Sequence, residues 1–247
     1  MKKDFSHIDT LASKLRSLRP LNAGEIKRLR EDFVVENTYN SNAIEGNPLT
    51  LRETAFILKE GLTVGGKRIK DHLEAIGHRD AFEYVLSLAD NNEELTVRII
   101  KDIHSLVLMN DTFNKGIYRS VPVRISGALH QPPRPEFVPM QMETLIADYD
   151  SLKSDKHIIE AVSEFHLRFE GIHPFIDGNG RTGRLILNLE LIKAGLLPVN
   201  IKYTDRHKYY DCFDDYYGKN YTSDALSSLI AEYEVEELKR YVFIIGG

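Results

Sequence analysis

The chain has 247 residues, 42% of them hydrophobic and 28% charged, with a formal net charge of −5 and a pI near 6.0. That length is enough to bury a core, and the acidic balance argues against a protein built to hold a polyanion such as DNA. One cysteine, Cys212, permits no intramolecular disulfide, and no run reaches the roughly 18 apolar residues of a membrane span, so a cytoplasmic setting is expected.

In chain order the periodicity is helical, and the expected fold is mainly all-α. "MKKDFSHIDT" carries no apolar run after its lysines and does not read as a signal peptide. Ile8, Leu11, Leu15 and Leu18 share one helix face behind a Ser6 cap, and Pro20 ends that helix. A second helix runs from about Ala23 into "NTYNSNAIEGN", where Gly46 and Pro48 stop it. Thr50 and Glu53 form a capping box for a third. Further helices are expected near 70–90, 96–108, 138–153, 157–170, 181–194, 206–217 and 223–240.

Residues 120–139, "SVPVRISGALHQPPRPEFVP", read differently. Val121, Val123 and Ile125 alternate before a Gly- and Pro-rich turn, which reads either as a surface loop or as a β-hairpin whose prolines confine it to an edge. An edge hairpin offers backbone groups to an extended peptide.

The densest chemistry lies in "HPFIDGNGRTGR", His173 to Arg184. An apolar stripe through Ile158, Ile159, Val162, Phe165 and Phe169 leads into it, and Leu185, Ile186, Leu189 and Ile192 lead out. The motif is therefore a loop between two buried helices, with Gly178, Asn179 and Gly180 at the start of the second. A glycine-rich helix start combines free amides with the positive end of the dipole, which makes an anion site. Arg181 and Arg184 are three apart and project from one helix face toward one ligand, in a form suited to phosphate oxygens. Asp177 is a hard oxygen ligand fit for Mg²⁺, and His173 is a base near neutral pH. Together these parts describe phosphoryl or nucleotidyl transfer. The competing reading is a glycine-rich turn with arginines on a solvated face. The stretch is neither a P-loop nor a Rossmann turn, because its glycines follow a helix.

The stretch resembles the Fic family signature HPFx[DE]GNGRxxR at every fixed position. "GIYR" at 116–119, the segment "VRISGALHQPPRP" and the lead-in "EFHLRFEGIHPF" are also similar to Fic segments, so the resemblance runs from about residue 40 to 220. It implies a helical core with a β-hairpin flap, and transfer of AMP from ATP to a hydroxyl of a target protein. By resemblance, His173 deprotonates the Tyr, Thr or Ser hydroxyl, and Asp177 holds Mg²⁺ between the α- and β-phosphates. Asn179 with the Gly178 and Gly180 backbone forms the anion hole, Arg181 binds phosphate oxygens, and Arg184 takes the γ-phosphate. Gly127, Ala128, Leu129 and His130 of the flap register the target chain.

"KYYDCF" resembles the family's aromatic segment, which puts Tyr209 and Tyr210 at the adenine. Tyr217 stands where relatives often carry Asn, which leaves the base preference open. Tyr209, Phe213 and Tyr217 are four apart and equally form a core stripe. His130 reads equally as a plain loop histidine, His166 as a hydrogen-bonded core histidine, and Cys212 as a small buried side chain.

"SNAIEG", Ser41 to Gly46, is similar to the family's inhibitory pattern [ST]xxxE[GN]. Ser41 and Glu45 share one helix face, and Glu45 is expected to occupy the Arg184 guanidinium. The expected organisation is a single unit: residues 1–60 with the inhibitory helix at about 26–46, then the Fic core at 61–247 with its flap at about 120–139. Two alternatives are carried: removal of AMP from a target, with Glu45 orienting water, and a non-catalytic nucleotide-sensing or DNA-binding regulator. The second ranks lowest, given the acidic charge and the few residues beyond 194. With 12 tyrosines the chain itself offers acceptors, and the resemblance carries over pairing into a homodimer.

Overall fold

The computed structural model describes residues 4–125, 127–219 and 221–246. The N-terminal residues 1–3 and Ser126 of the flap segment lie outside them. The described residues form ten α-helices: α1 Ser6–Ser17, α2 Ala23–Ile44, α3 Leu51–Glu60, α4 Ile69–Asp90, α5 Val97–Val107, α6 Val138–Asp155, α7 Ile158–Ile172, α8 Asn179–Lys193, α9 Arg206–Gly218 and α10 Asp224–Gly246. Short 3₁₀ turns at Pro135–Phe137 and Tyr203–Asp205 lead into α6 and α9. Among the described residues no helix is long and apolar enough to cross a membrane.

Local chemistry sets the helix limits. Asn22 caps α2 by accepting the Glu25 amide at 3.0 Å while Glu25 accepts the Asn22 amide at 2.9 Å. Thr50 and Glu53 make the expected reciprocal pair at the start of α3. α3 ends on Gly61 at φ 67°, a left-handed turn that costs glycine little. The expected Ser6 cap is corrected: Ser6 is already helical, and its amide donates to the Asp4 carboxylate at 2.9 Å.

Two central helices, α7 and α8, pack against each other and are joined by the motif loop. α4, α5, α6 and α10 surround them, α1 lies on α10, and α2 bridges α3, α4 and α8. Leu185, Ile186, Leu187, Leu189 and Leu191 of α8 are all buried. Each such side chain removed from water contributes about 2 kcal/mol. Because α8 is enclosed on every side, its polar residues Arg181, Arg184, Asn188 and Glu190 are buried too. That removes the reading of its arginines as a solvated face.

The flap differs from the hairpin reading. The described residues of 120–134 form irregular backbone with bends and one turn, closed by the Ala128 amide on the Ile125 carbonyl at 3.3 Å, and no strand ladder forms among them. Prolines at 132, 133 and 135 remove donors, and a lone two-stranded ribbon has no third strand to support it. Val121 and Leu129 stay exposed, so the alternation buries no face.

Candidate active site

His173 ends α7 in the left-handed region, at φ 48° and ψ 61°, with its amide on the Phe169 carbonyl at 3.0 Å. A non-glycine residue held there carries about 1–3 kcal/mol of strain, so its surroundings must hold it. Phe175 anchors the loop that follows. It is fully buried and stacks on His104 with ring centroids 3.6 Å apart. His104 Nδ1 accepts the Gly116 amide at 2.9 Å, so Nε2 carries the proton and donates to the Asp177 carbonyl, also at 2.9 Å. Burial lowers the His104 pKa to about 4, which keeps this tautomer neutral.

Asn179 also holds the motif loop together. Its side-chain oxygen accepts the Phe175 amide and its nitrogen donates to the Phe175 carbonyl, both at 2.9 Å. The side chain closes the loop, yet this pair uses only one of its two amide N–H bonds, and Asn179 lines the cleft. The backbone adds further donors. The first bond of α8 joins the Thr182 amide to the Gly178 carbonyl, so the amides of Asn179, Gly180 and Arg181 precede the ladder. Gly178 and Gly180 line a cleft of 460 Å³ that also receives His173, Asp177 and Arg184.

The two arginines part company. Arg181 is only 2% exposed and turns toward α2 and α4. It bonds Asn42 Oδ1 at 3.4 Å and Asp177 Oδ1 at 3.2 Å, with Glu74 at 3.6 Å. It steadies Asp177 from behind and does not line the cleft, so the two arginines do not share one ligand. Both bonds to Asp177, from Arg181 and from the Gly178 amide, fall on Oδ1, and the side chain is half-exposed in the cleft. Arg184 does face the cleft, and the end of α2 meets it there. It donates to Glu45 Oε1 at 2.8 Å, to Ser41 Oγ at 3.0 Å and to the Ser41 carbonyl at 2.8 Å. Gly180 leaves room for this contact, since a Cβ there would overlap the Glu45 carboxylate.

Burial lowers the pKa of His173, so the ring is neutral at pH 7. Glu170 lies 3.8 Å from His173 Nδ1. Burial first, and then the negative charge of Glu45, push the Glu170 carboxyl up to about 8. His166 behaves as the core histidine expected: it is buried, drawn down to about 3 by burial, and pairs with the Tyr209 hydroxyl at 2.6 Å.

Residues 94–191 match the family model described as Fic/DOC. The chain carries a Fic/DOC-family domain. It is 39% identical over 214 residues to the protein adenylyltransferase Fic of Nematostella vectensis, a match covering 84% of this chain and 49% of that one. It is 35% identical to the protein adenylyltransferase Fic of Culex quinquefasciatus, over 85% and 42% of the two chains. The chain thus spans about half the length, or less, of these curated relatives. Among solved structures, a Fic domain containing signaling protein from Bacteroides thetaiotaomicron is 29% identical with a TM-score of 0.87, covering 96% of this chain and 95% of that one. Fic-1 from C. elegans is 27% identical with a TM-score of 0.84, covering 98% and 72%.

The region matched by the Fic model begins after α2, so Glu45 reaches Arg184 from outside it. The far end of the cleft is built by α9 and the flap. Tyr209 is buried, and its hydroxyl lies 3.5 Å from Arg184 Nη1; it supports the arginine. Tyr210 is 43% exposed, lines the cleft, and donates to the Ile44 carbonyl at 3.1 Å. Tyr217 follows the core-stripe reading and not the adenine side. Its hydroxyl donates to the Leu167 carbonyl at 3.0 Å, it packs over Gly171, and it is not among the cleft residues. His130 stacks on Tyr217 at 3.7 Å and, with Gly127 and Ala128, lines the cleft, whereas Leu129 points away and is 67% exposed. Sequence reasoning missed His104 and Glu170 as parts of the Fic site. Each sits on an apolar helix stripe with no local mark distinguishing it from a core polar residue.

Proposed function

We propose that the chain is a protein adenylyltransferase restrained by its own α2, and that it moves AMP from ATP to a hydroxyl of a protein. The observation that carries this is the Glu45 carboxylate on Arg184, in a cleft that also holds the α8 amides and His173. In the reaction, neutral His173 accepts the proton of the acceptor hydroxyl, whose oxygen attacks the α-phosphorus. The bond to the bridging oxygen breaks and pyrophosphate leaves. The α8 amides and Arg184 stabilise the charge on the phosphate oxygens. The Asp177 carboxylate fits Mg²⁺, which commonly takes one or two carboxylates and otherwise phosphate and water oxygens. Bound there, Mg²⁺ would neutralise charge on the α- and β-phosphates.

In this reading residues 1–60 are the regulatory part and 61–247 the Fic core. The single cysteine supports a reducing, cytoplasmic setting. Glu45→Gly should raise AMP incorporation, and His173→Ala in the same background should abolish it. Mass spectrometry after incubation with ATP and Mg²⁺ reads the transferred group and any acceptor on the chain itself. Absence of transfer by Glu45→Gly with ATP and with every other nucleotide would sink the proposal.

A second reading rests on the same carboxylate. Glu45 is 36% exposed beside His173, where it is able to orient a water for removal of AMP from a modified protein. Glu45→Gly would then lose the removal activity, which incubation of AMP-modified protein with the unsubstituted chain would reveal.

A further inference from the structure

We propose that Arg119 is a positioning residue that holds His173 and both ends of the flap as one unit. This rests on the transferase reading above. Arg119 closes the "GIYR" stretch just ahead of the flap and is 5% exposed. No carboxylate among the described residues pairs with it, and burial alone accounts for its lowered pKa. Among the described residues every bond of its guanidinium goes to a main-chain carbonyl. Nε donates to His173 at 2.8 Å. Nη2 donates to Ile172 at 3.3 Å and to Pro133 at 2.6 Å, and Nη1 donates to Val121 at 3.1 Å. Its backbone amide adds a bond to the Pro174 carbonyl at 3.0 Å.

Three chain segments therefore meet on one planar group: the end of α7, the entry to the flap and its exit. Val121 and Pro133 bracket the flap residues that line the cleft, and His173 is the residue held in the left-handed region. A guanidinium satisfies such a fan of acceptors because its five N–H bonds diverge in a fixed fork. A lysine keeps the charge but places three donors on one nitrogen. The consequence is chemical: an acceptor laid against the flap is held in register with the base that must take its proton.

The test is Arg119→Lys in the Glu45→Gly background, with the chain itself as acceptor and α-labelled ATP as donor. The maximal rate of self-incorporation should fall about a hundredfold, as expected for a misplaced base, while the KM for ATP stays within about threefold. An unchanged rate would overturn the proposal, as would a KM for ATP that rises as far as the rate falls, which marks a merely structural role. Hydrogen exchange on the same variant needs no activity. Residues 120–134 and 172–175 should lose protection together while α8 keeps its own. Loosening of the flap alone, or of neither segment, would refute the coupling. If Glu45→Gly transfers nothing at all, the transferase reading fails, and the exchange result still decides whether Arg119 ties the two segments.

Discussion

At the scale of the residue, His104 performs three tasks with one ring. It accepts from the loop at Gly116, donates to the main chain of Asp177 and supports Phe175 by stacking. Ordinary core polar residues satisfy themselves; His104 instead sets where the carboxylate of Asp177 sits. His104→Ala would open a cavity against Phe175 and leave a buried amide and a carbonyl unpaired. A loss of about 3 kcal/mol in urea unfolding is expected from those two effects. His104 was not legible in the sequence because its partner lies 73 residues away. His173 and Asp177 were legible, because the motif itself packs them beside a glycine-rich helix start.

At the scale of the element, α2 is a long helix whose last turn does something different from the rest. Its body packs on α3 and α4, while Ser41 and Glu45 reach α8. Ser41 contributes both its hydroxyl and its carbonyl to Arg184. Ser41→Ala removes a bond to a charged group worth roughly 1.5 kcal/mol. In the proposed function it should raise basal AMP incorporation about tenfold, less than Glu45→Gly does, in the same labelled-ATP assay. The start of α3 was readable from its Thr50–Glu53 cap, since capping is a contact among residues three apart, and the end of α2 from Gly46. The flap was not readable in the same way. Its alternation suggested strands, and the absence of a third strand left it an irregular loop held from outside.

At the scale of the whole molecule, buried titratable groups set the pH range of stability. Burial holds His78 and His166 near 3, so they stay neutral in the fold and take up protons only when it opens. Their stabilisation is present above the unfolded value near 6.5 and is lost as pH falls toward 3. Burial raises Glu170 and Glu234 to about 8, so they stay protonated in the fold and release protons on unfolding. Their stabilisation is present below the ordinary carboxyl value and is lost as pH rises toward 8. Between about 4.5 and 6.5 the two effects oppose each other. His104, held near 4 by burial, adds a third such histidine, so the melting temperature should rise with pH across that range and decline above about 6.5. Glu170→Gln should lessen the alkaline decline between pH 6.5 and 8 in thermal melts. An unchanged alkaline limb would show that Glu170 is ionised in the folded chain.

Local pattern by itself determined most of the helices, the Thr50–Glu53 cap of α3 and the glycine-rich motif at the start of α8, because each depends on neighbours a few residues away. It also pointed to Glu45 as the partner of Arg184, through the similarity of "SNAIEG" to an inhibitory pattern. Tertiary structure alone decided how the motif's side chains are used. Asn179 turns inward to clasp Phe175, Arg181 is buried behind Asp177, and Tyr217 covers Gly171 instead of facing the cleft. Each of those outcomes turns on which distant group is close enough to satisfy a buried polar atom. Helix periodicity carries no record of that distance; only the packing of α2, α4, α5 and α9 around α7 and α8 sets it.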